Sequence, residues 1–246
     1  MISVCLISHN GERFIKKQIQ SILSQLSEFD ELIISDDEST DNTCEIIQSF
    51  QDNRIKLFHH KKDSAFEKYN KNKGFYYATA NMYHALQHAS GEYIFFADQD
   101  DIWIENKLQK CVEKLQTHDC VICNYNIIDE NDKITQTAVI KNFSYSTINH
   151  LIKNHFMGCC MAIKKEVLSY IFPFPKELRM FDIWIGILCC QKKNIYFINE
   201  PLHLYRQHEN NVSPATKKST NSLFYKIQYR IQLIYQLFYH TFLLRQ

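Results

Sequence analysis

The 246-residue chain carries 28 basic and 27 acidic residues for a net charge of +1, and 45% of it is hydrophobic against 22% charged. Apolar content at that level can bury a core, which excludes a disordered chain, and the balanced charge leaves no global field to attract nucleic acid or another polyanion. Function must therefore reside in local clusters of side chains, with no nucleic-acid partner expected.

In chain order, the spacing of apolar residues predicts strands over residues 4–8, 31–35, 55–59, 93–97 and 120–128, with helices over 13–25, 40–51, 80–89 and 106–116 between them. That alternation is the signature of strands joined by crossover helices, so the expected fold class is α/β with a mostly parallel, doubly wound sheet. The first eight residues lack a basic start and read as a strand, not a leader. The second half is less regular, with a strand expected over 195–198 and a helix over 183–190. From 221 to 246 a helix rich in large apolar residues is interrupted by Lys226, Arg230, Gln232, Gln236 and His240. Those breaks come too often for a spanning segment, which needs about 20 nearly continuous apolar residues. The helix is expected either to pack on the domain or on a second copy of the chain, or to lie at a membrane interface.

Nine cysteines, an odd number, sit mostly inside apolar segments. Such thiols pack as small hydrophobes in a reducing cytoplasm. Cys120 and Cys123 have C-x-x-C spacing within a strand-like run but no second ligand pair, which favours a buried structural pair over a zinc site. The histidines His59, His60, His84, His88 and His118 repeat no ligand spacing and are read as structural.

Ligands of a doubly wound sheet bind beyond the carboxyl ends of its strands. Three polar clusters fall there: Ser8-His9-Asn10-Gly11, Asp36-Asp37-Glu38-Ser39 and Asp98-Gln99-Asp100-Asp101. Asp98, Asp100 and Asp101 place three carboxylates within four positions, where like charges repel unless a hard divalent cation such as Mg²⁺ or Mn²⁺ joins them. The plainer alternative is a solvated acidic loop that caps the element before Trp103. Thr40 or Asp41 with Glu45 suffices to cap the helix after the second strand. Asp36 and Asp37 are thereby left to accept hydrogen bonds from a nucleobase or ribose.

Together these segments resemble the family 2 glycosyltransferases of the A-type nucleotide-diphospho-sugar transferase fold, nearest to a bacterial rhamnosyltransferase-like subgroup. Residues 3–15 are similar to that family's opening strand and first nucleotide loop, Asp36-Asp37-x-Ser39-x-Asp41-x-Thr43 to its second, and Asp98-Gln99-Asp100-Asp101-x-Trp103 to its metal motif. The resemblance implies transfer of a sugar, with inversion, from a nucleoside diphosphate sugar to a glycan or glycolipid hydroxyl, in bacterial surface polysaccharide synthesis. It places Ser8, Asn10, Asp36, Asp37 and Asn81 at the nucleotide, Asp98 at the ribose or metal, and Asp100 with Asp101 on Mn²⁺ or Mg²⁺. Asn72-Lys73-Gly74 is similar to a loop beneath the nucleotide.

Met180-Phe181-Asp182-Ile183-Trp184 is similar to the motif whose aspartate is the general base, which makes Asp182 the catalytic candidate and Trp184 an apolar wall for the acceptor. Relatives often carry His or Glu where this chain has Phe181. Asp182 serves equally as a helix cap, and both roles can hold at once. Gly158 resembles a position on an acceptor-side strand that lets the donor sugar approach the backbone. Tyr205-Arg206-Gln207-His208 resembles a closing loop with Arg206 on the diphosphate and His208 on the metal or a phosphate.

The expected organisation is a single domain over 1–220, divided into a nucleotide-binding half (1–128) and an acceptor half (129–220), followed by the C-terminal helix. A cytoplasmic location follows, peripheral on the inner membrane face if that helix meets lipid. Two rivals share the acid cluster: a nucleotidyl or phosphoryl transferase, and a nucleotide-sugar-binding protein without catalysis.

Overall fold

The computed structural model describes residues 1–212 and 221–243. β1 (Ile2–Ser8), β2 (Glu31–Asp37), β3 (Ile55–His60) and β4 (Tyr93–Asp98) pair in parallel in the order β3-β2-β1-β4. Their connections carry α1 (Ile15–Leu23), α2 (Thr43–Gln48) and α3 (Lys73–Gln87). Strands buried on both faces read as continuous apolar runs, which is why β1, β2 and β4 are buried along nearly their whole length.

The sheet continues through β4-β8-β6-β9-β5, so strands of both halves share it. Here β5 (Ile102–Trp103) precedes α4 (Lys107–Leu115) and β6 (Cys120–Ile128), and β7 (Ile134–Gln136) pairs with β6 before α5 (Thr147–Ile152). β8 (Met161–Lys164) runs antiparallel to both β4 and β6 and so interrupts the parallel order. α6 (Leu168–Ile171) and α7 (Phe181–Gln191) lead to β9 (Ile195–Arg206), and α8 (Leu223–Leu243) closes the described chain.

Several elements depart from the spacing. α2 begins only at Thr43, because Asp41 Oδ1 accepts from the Thr43 N–H and hydroxyl and uses the preceding residues as a turn. α3 starts seven residues earlier than the apolar period suggests. Its first turns bury Tyr76 and Tyr77, and Tyr69 stacks on Tyr76 with ring centroids 3.9 Å apart. β9 continues through Pro201, with the missing N–H absorbed where its register on β6 slips near Asn124.

All nine cysteines are free. Cys120 and Cys123 do not form a pair: Cys120 meets Cys189, whereas Cys123 meets Cys111 and Cys160, since residues three apart on a strand face opposite sides.

α8 packs through Leu233, Leu237 and His240, the last donating from Nε2 to the Tyr170 carbonyl at 2.9 Å. Arg230 fastens it to the end of α5 through the Leu151 and Ile152 carbonyls. Its outward face leaves Phe224, Ile227, Ile231, Ile234, Phe238 and Phe242 exposed. Among the described residues no helix is long and apolar enough to cross a membrane. Residues 244–246 of the expected helix, and 213–220 of the expected acceptor half, lie outside the described residues.

One glycine governs how β4 enters the sheet. A Cβ at Gly91 would stand 2.6 Å from the Ser3 backbone nitrogen and 2.8 Å from the Ile2 carbonyl carbon, and backbone cannot move aside as a side-chain tip can. Gly91→Ala is expected to lose about 1–3 kcal/mol of stability, read from the urea midpoint at unchanged slope.

Candidate active site

The carboxyl ends of β1, β2 and β4 open into a cavity of about 1490 Å³. Ser8, Asn10, Asp37, Asn81, Asp98, Asp100, Asp182 and His208 all line it. Its volume exceeds the roughly 300–1,000 Å³ of an ordinary ligand pocket, room enough for two substrates.

Its floor is a set of loops tied to one another. Asn10 takes φ = 49°, a left-handed conformation that asparagine tolerates. Its N–H donates to Ser39 Oγ and its Oδ1 accepts from the Thr40 N–H, each at 2.8 Å. Gly11 donates to Thr43 Oγ1 at 2.7 Å, and a Cβ there would lie 2.2 Å from Gln99 Oε1. Gln99 in turn exchanges two hydrogen bonds with the His9 backbone, at 2.8 and 2.9 Å. The loop after β1 is thus joined to both acid clusters. Asn81 reaches from α3 to donate to the Ser35 carbonyl at 2.9 Å and accepts from Ser35 Oγ at 2.5 Å.

Asp37 and Asp36 separate into two roles. Asp37 faces the cavity and is held by His60 at 2.7 Å, a contact set by the β2–β3 register that opposes the two residues. His60 is therefore a positioning neighbour that spacing alone misses. Asp36 is 1% exposed and does not line the cavity. Its oxygens accept from the Ser8 and Ser39 hydroxyls and the Ser39 N–H, so it binds the two loops together instead of meeting a nucleotide.

Asp98 ends β4 and Asp100 lies in the turn that follows. Burial, then the nearby Asp101, Asp100 and Asp182 carboxylates, pushes Asp98 well above the usual carboxylate range. Burial also raises Asp100, opposed by His208, whose Nε2 donates to Asp100 Oδ2 at 2.7 Å. Asn211 Nδ2 donates to the same oxygen at 3.2 Å.

Asp101 departs from its expected place on a metal. It is fully buried, with Oδ1 accepting from the Arg206 N–H at 2.9 Å and Oδ2 from His203 Nε2 at 2.8 Å. Lys107 Nζ then bonds His203 Nδ1 and the Cys159 carbonyl. Asp98, Asp101 and Cys159 do lie within 4.8 Å of one another. Both Asp101 oxygens are engaged in buried hydrogen bonds, however, and burial holds the Cys159 thiol protonated, a poor set for a hard cation. Oxygen and imidazole donors open to the cavity come from Asp98, Asp100 and His208, a set that suits Mn²⁺ or Mg²⁺.

Arg206 also points away from the expected diphosphate. Its neighbour Tyr205 lines the cavity, and the strand's alternation turns Arg206 to the other side. There it is 1% exposed, donates to the Asp100 and Asp129 carbonyls, pairs with Asp132 and lies over the Phe14 ring. It braces the acid turn from behind.

Asp182 stands in the first turn of α7, where burial raises it to about 6 even though its Oδ1 accepts the Ile183 N–H at 2.7 Å. Trp184 forms no acceptor wall: it is fully buried, donates to the Ile171 carbonyl and meets His240 edge-on. Gly158 lies in a 3₁₀ turn, Gly158–Cys160, ahead of β8 and not on a strand. A Cβ there would meet the Phe181 ring at 2.5 Å, so its small size accommodates Phe181.

A cavity at the carboxyl edge of parallel strands, with polar groups converging on it, is where an open α/β sheet binds its ligands. The chain belongs to glycosyl transferase family 2, whose family model matches residues 3–172. It is 32% identical over 202 residues to the UDP-Glc:alpha-D-GlcNAc-diphosphoundecaprenol beta-1,3-glucosyltransferase WfgD of Escherichia coli, covering 81% of this chain and 73% of that one. It is 30% identical over 218 residues to the dTDP-rhamnosyl transferase RfbG of Shigella flexneri, covering 84% and 72%. In fold it is similar to glucosyl-3-phosphoglycerate synthase of Mycobacterium tuberculosis, solved with Mn²⁺, UDP and phosphoglyceric acid. That match has a TM-score of 0.57 at 20% identity, over 98% of this chain and 78% of that chain. The protein is a glycosyltransferase with the nucleotide-sugar transferase fold.

Proposed function

We propose that the enzyme transfers a hexosyl or deoxyhexosyl group, with inversion, from a nucleoside diphosphate sugar to a hydroxyl of a lipid-linked glycan in bacterial surface polysaccharide assembly. The observation that carries this reading is the meeting of Asp98 and Asp100, at and just after the end of β4, with Asp182 from α7 across one cavity, close enough that Asp182 disturbs Asp98. A hydroxyl nucleophile needs a base within reach. Asp182, raised to about 6, is ionised at neutral pH yet basic enough to accept its proton. Asp37 supplies an acceptor for the base or ribose, Asn81 fixes the Ser35 backbone beside it, and Ser8 and Asn10 shape the loop beneath. Bound between Asp98, Asp100 and His208, Mn²⁺ or Mg²⁺ would neutralise charge on the leaving diphosphate. The lipid-linked acceptor follows the relative that acts on a diphosphoundecaprenol substrate.

We place the outward face of α8, with exposed Ile148 and Ile152 of α5, to whose end Arg230 ties it, against the cytoplasmic membrane surface that holds such an acceptor. The 246-residue chain should sediment with liposomes while a form ending at residue 220 stays in the supernatant. A dimer of the 246-residue chain in lipid-free sedimentation, with no liposome binding, would assign that face to a second copy instead.

The donor test is a thermal-shift screen of nucleoside diphosphates and their sugars with and without Mn²⁺. One nucleoside diphosphate is expected to raise the melting temperature in a Mn²⁺-dependent way. Incubation with its sugar and a lipid-linked acceptor should release nucleoside diphosphate; release of pyrophosphate would make the enzyme a nucleotidyltransferase.

A further inference from the structure

Arg179 is a buried cation with most of its donors unspent. It is 8% exposed, and its guanidinium lies over the rings of Phe75, Tyr225 and Tyr229 at 4.5, 5.2 and 4.9 Å. Its Nη2 donates to Asn72 Oδ1 at 3.2 Å, while the buried Nε–H has no acceptor. Among the described residues no carboxylate pairs with it. A guanidinium so placed bears a desolvation cost that aromatic faces offset only in part, and the natural complement of its planar fork is a phosphate.

Position selects which phosphate. Arg179 lines the same cavity as Asp182, three residues ahead of it in sequence, and Tyr229 lies both against Arg179 and within electrostatic reach of Asp182. The acids around Asp98 and Asp100 mark the donor diphosphate's corner, whereas Arg179 stands on the wall of the base, where the acceptor hydroxyl must enter. Tyr225 and Tyr229 also belong to α8, whose outward residues Leu223, Phe224 and Ile227 are exposed. An anion held at Arg179 therefore stands between the reacting hydroxyl and an apolar surface. That is the order of parts in a sugar joined through phosphate to a lipid.

We infer that Arg179 anchors the phosphate that links the acceptor sugar to its lipid, and so determines acceptor specificity. The inference rests on the transferase reading above. Binding of octyl diphosphate, inorganic pyrophosphate and octyl glucoside is measured by calorimetry with Mn²⁺ and the best-binding nucleoside diphosphate at saturation, so that the donor corner is already filled. Wild type is expected to bind octyl diphosphate more tightly than pyrophosphate. Arg179→Gln should weaken octyl diphosphate about tenfold, leave octyl glucoside unchanged and leave nucleotide affinity within about twofold. Arg179→Lys, which keeps the charge and the aromatic contacts, should fall between the two, with melting temperatures reporting that both variants fold. Equal octyl diphosphate affinity in wild type and R179Q, or a parallel loss of nucleotide affinity, overturns the anchor. Pyrophosphate binding as tightly as octyl diphosphate overturns the lipid linkage. If no nucleoside diphosphate binds any form while octyl diphosphate still depends on Arg179, the transferase reading fails and the anion site stands.

Discussion

Asp182→Asn is expected to lower kcat on the order of 10³-fold while leaving the donor's thermal shift unchanged, because the amide keeps the side chain's shape and loses only its basicity. Burial raises Asp182 to about 6. Wild-type kcat should therefore fall about tenfold per unit below pH 6 as the base is protonated, with a plateau above it, and the D182N variant should lack that limb. Stability runs the other way. A carboxyl raised in the folded state favours its neutral form, so its stabilising contribution is present below the unfolded value and is lost as pH rises through about 6. At neutral pH the ionised Asp182 is then a liability to the fold, and D182N should melt a few degrees higher than wild type while nearly inactive. An inactive variant that also melts lower would indicate that Asp182 acts as a helix-turn acceptor and not as the base. Its bond to the Ile183 N–H is the contact such a role would use.

What the sequence made legible follows from where burial is total. β1, β2 and β4 are buried on both faces, so they read as largely apolar runs, and Asn10, Asp37, Asp98 and Asp100 lie at or just beyond their carboxyl ends. Direction within those clusters was not legible. Asp36 and Asp37 are adjacent, and Tyr205 and Arg206 are adjacent, yet in each pair one side chain meets the cavity and the other braces the scaffold, a choice made by strand register against neighbours remote in sequence. Asp101 reads like a ligand until β9 delivers the His203 ring and the Arg206 N–H to it. Gln99 and His60 were missed for the same reason, since neither carries a pattern until the loops around β1 and the β2–β3 register bring their partners close. A local cue to Arg179 did exist: a lone arginine three residues ahead of the candidate base. Its meaning depends on three rings, two of them on α8 and more than 40 positions away.

Asp100→Ala carries the other large effect: transfer and donor hydrolysis are expected to drop on the order of 10³-fold, with Mn²⁺ no longer enhancing the nucleoside diphosphate's thermal shift. Arg206 is turned away and spent on the Asp100 and Asp129 carbonyls. In the proposed mechanism a cation held by Asp98, Asp100 and His208 would neutralise the leaving group in its place. Asp100 holds His208 in that set, since His208 and Asn211 both donate to its Oδ2. Its removal should leave His208 and Asn211 without their acceptor and loosen the segment after β9. Without metal, however, the variant should be no less stable than wild type, because one of several mutually repelling acids at the cavity is gone. A conservative Asp100→Asn, which retains an acceptor for His208, should be as inactive as D100A, which separates charge from hydrogen bonding. Wild-type transfer by D100A, or undiminished activity of the wild-type enzyme in excess chelator, would remove the metal from the mechanism and return Asp98 and Asp100 to the role of direct hydrogen-bond acceptors for the donor.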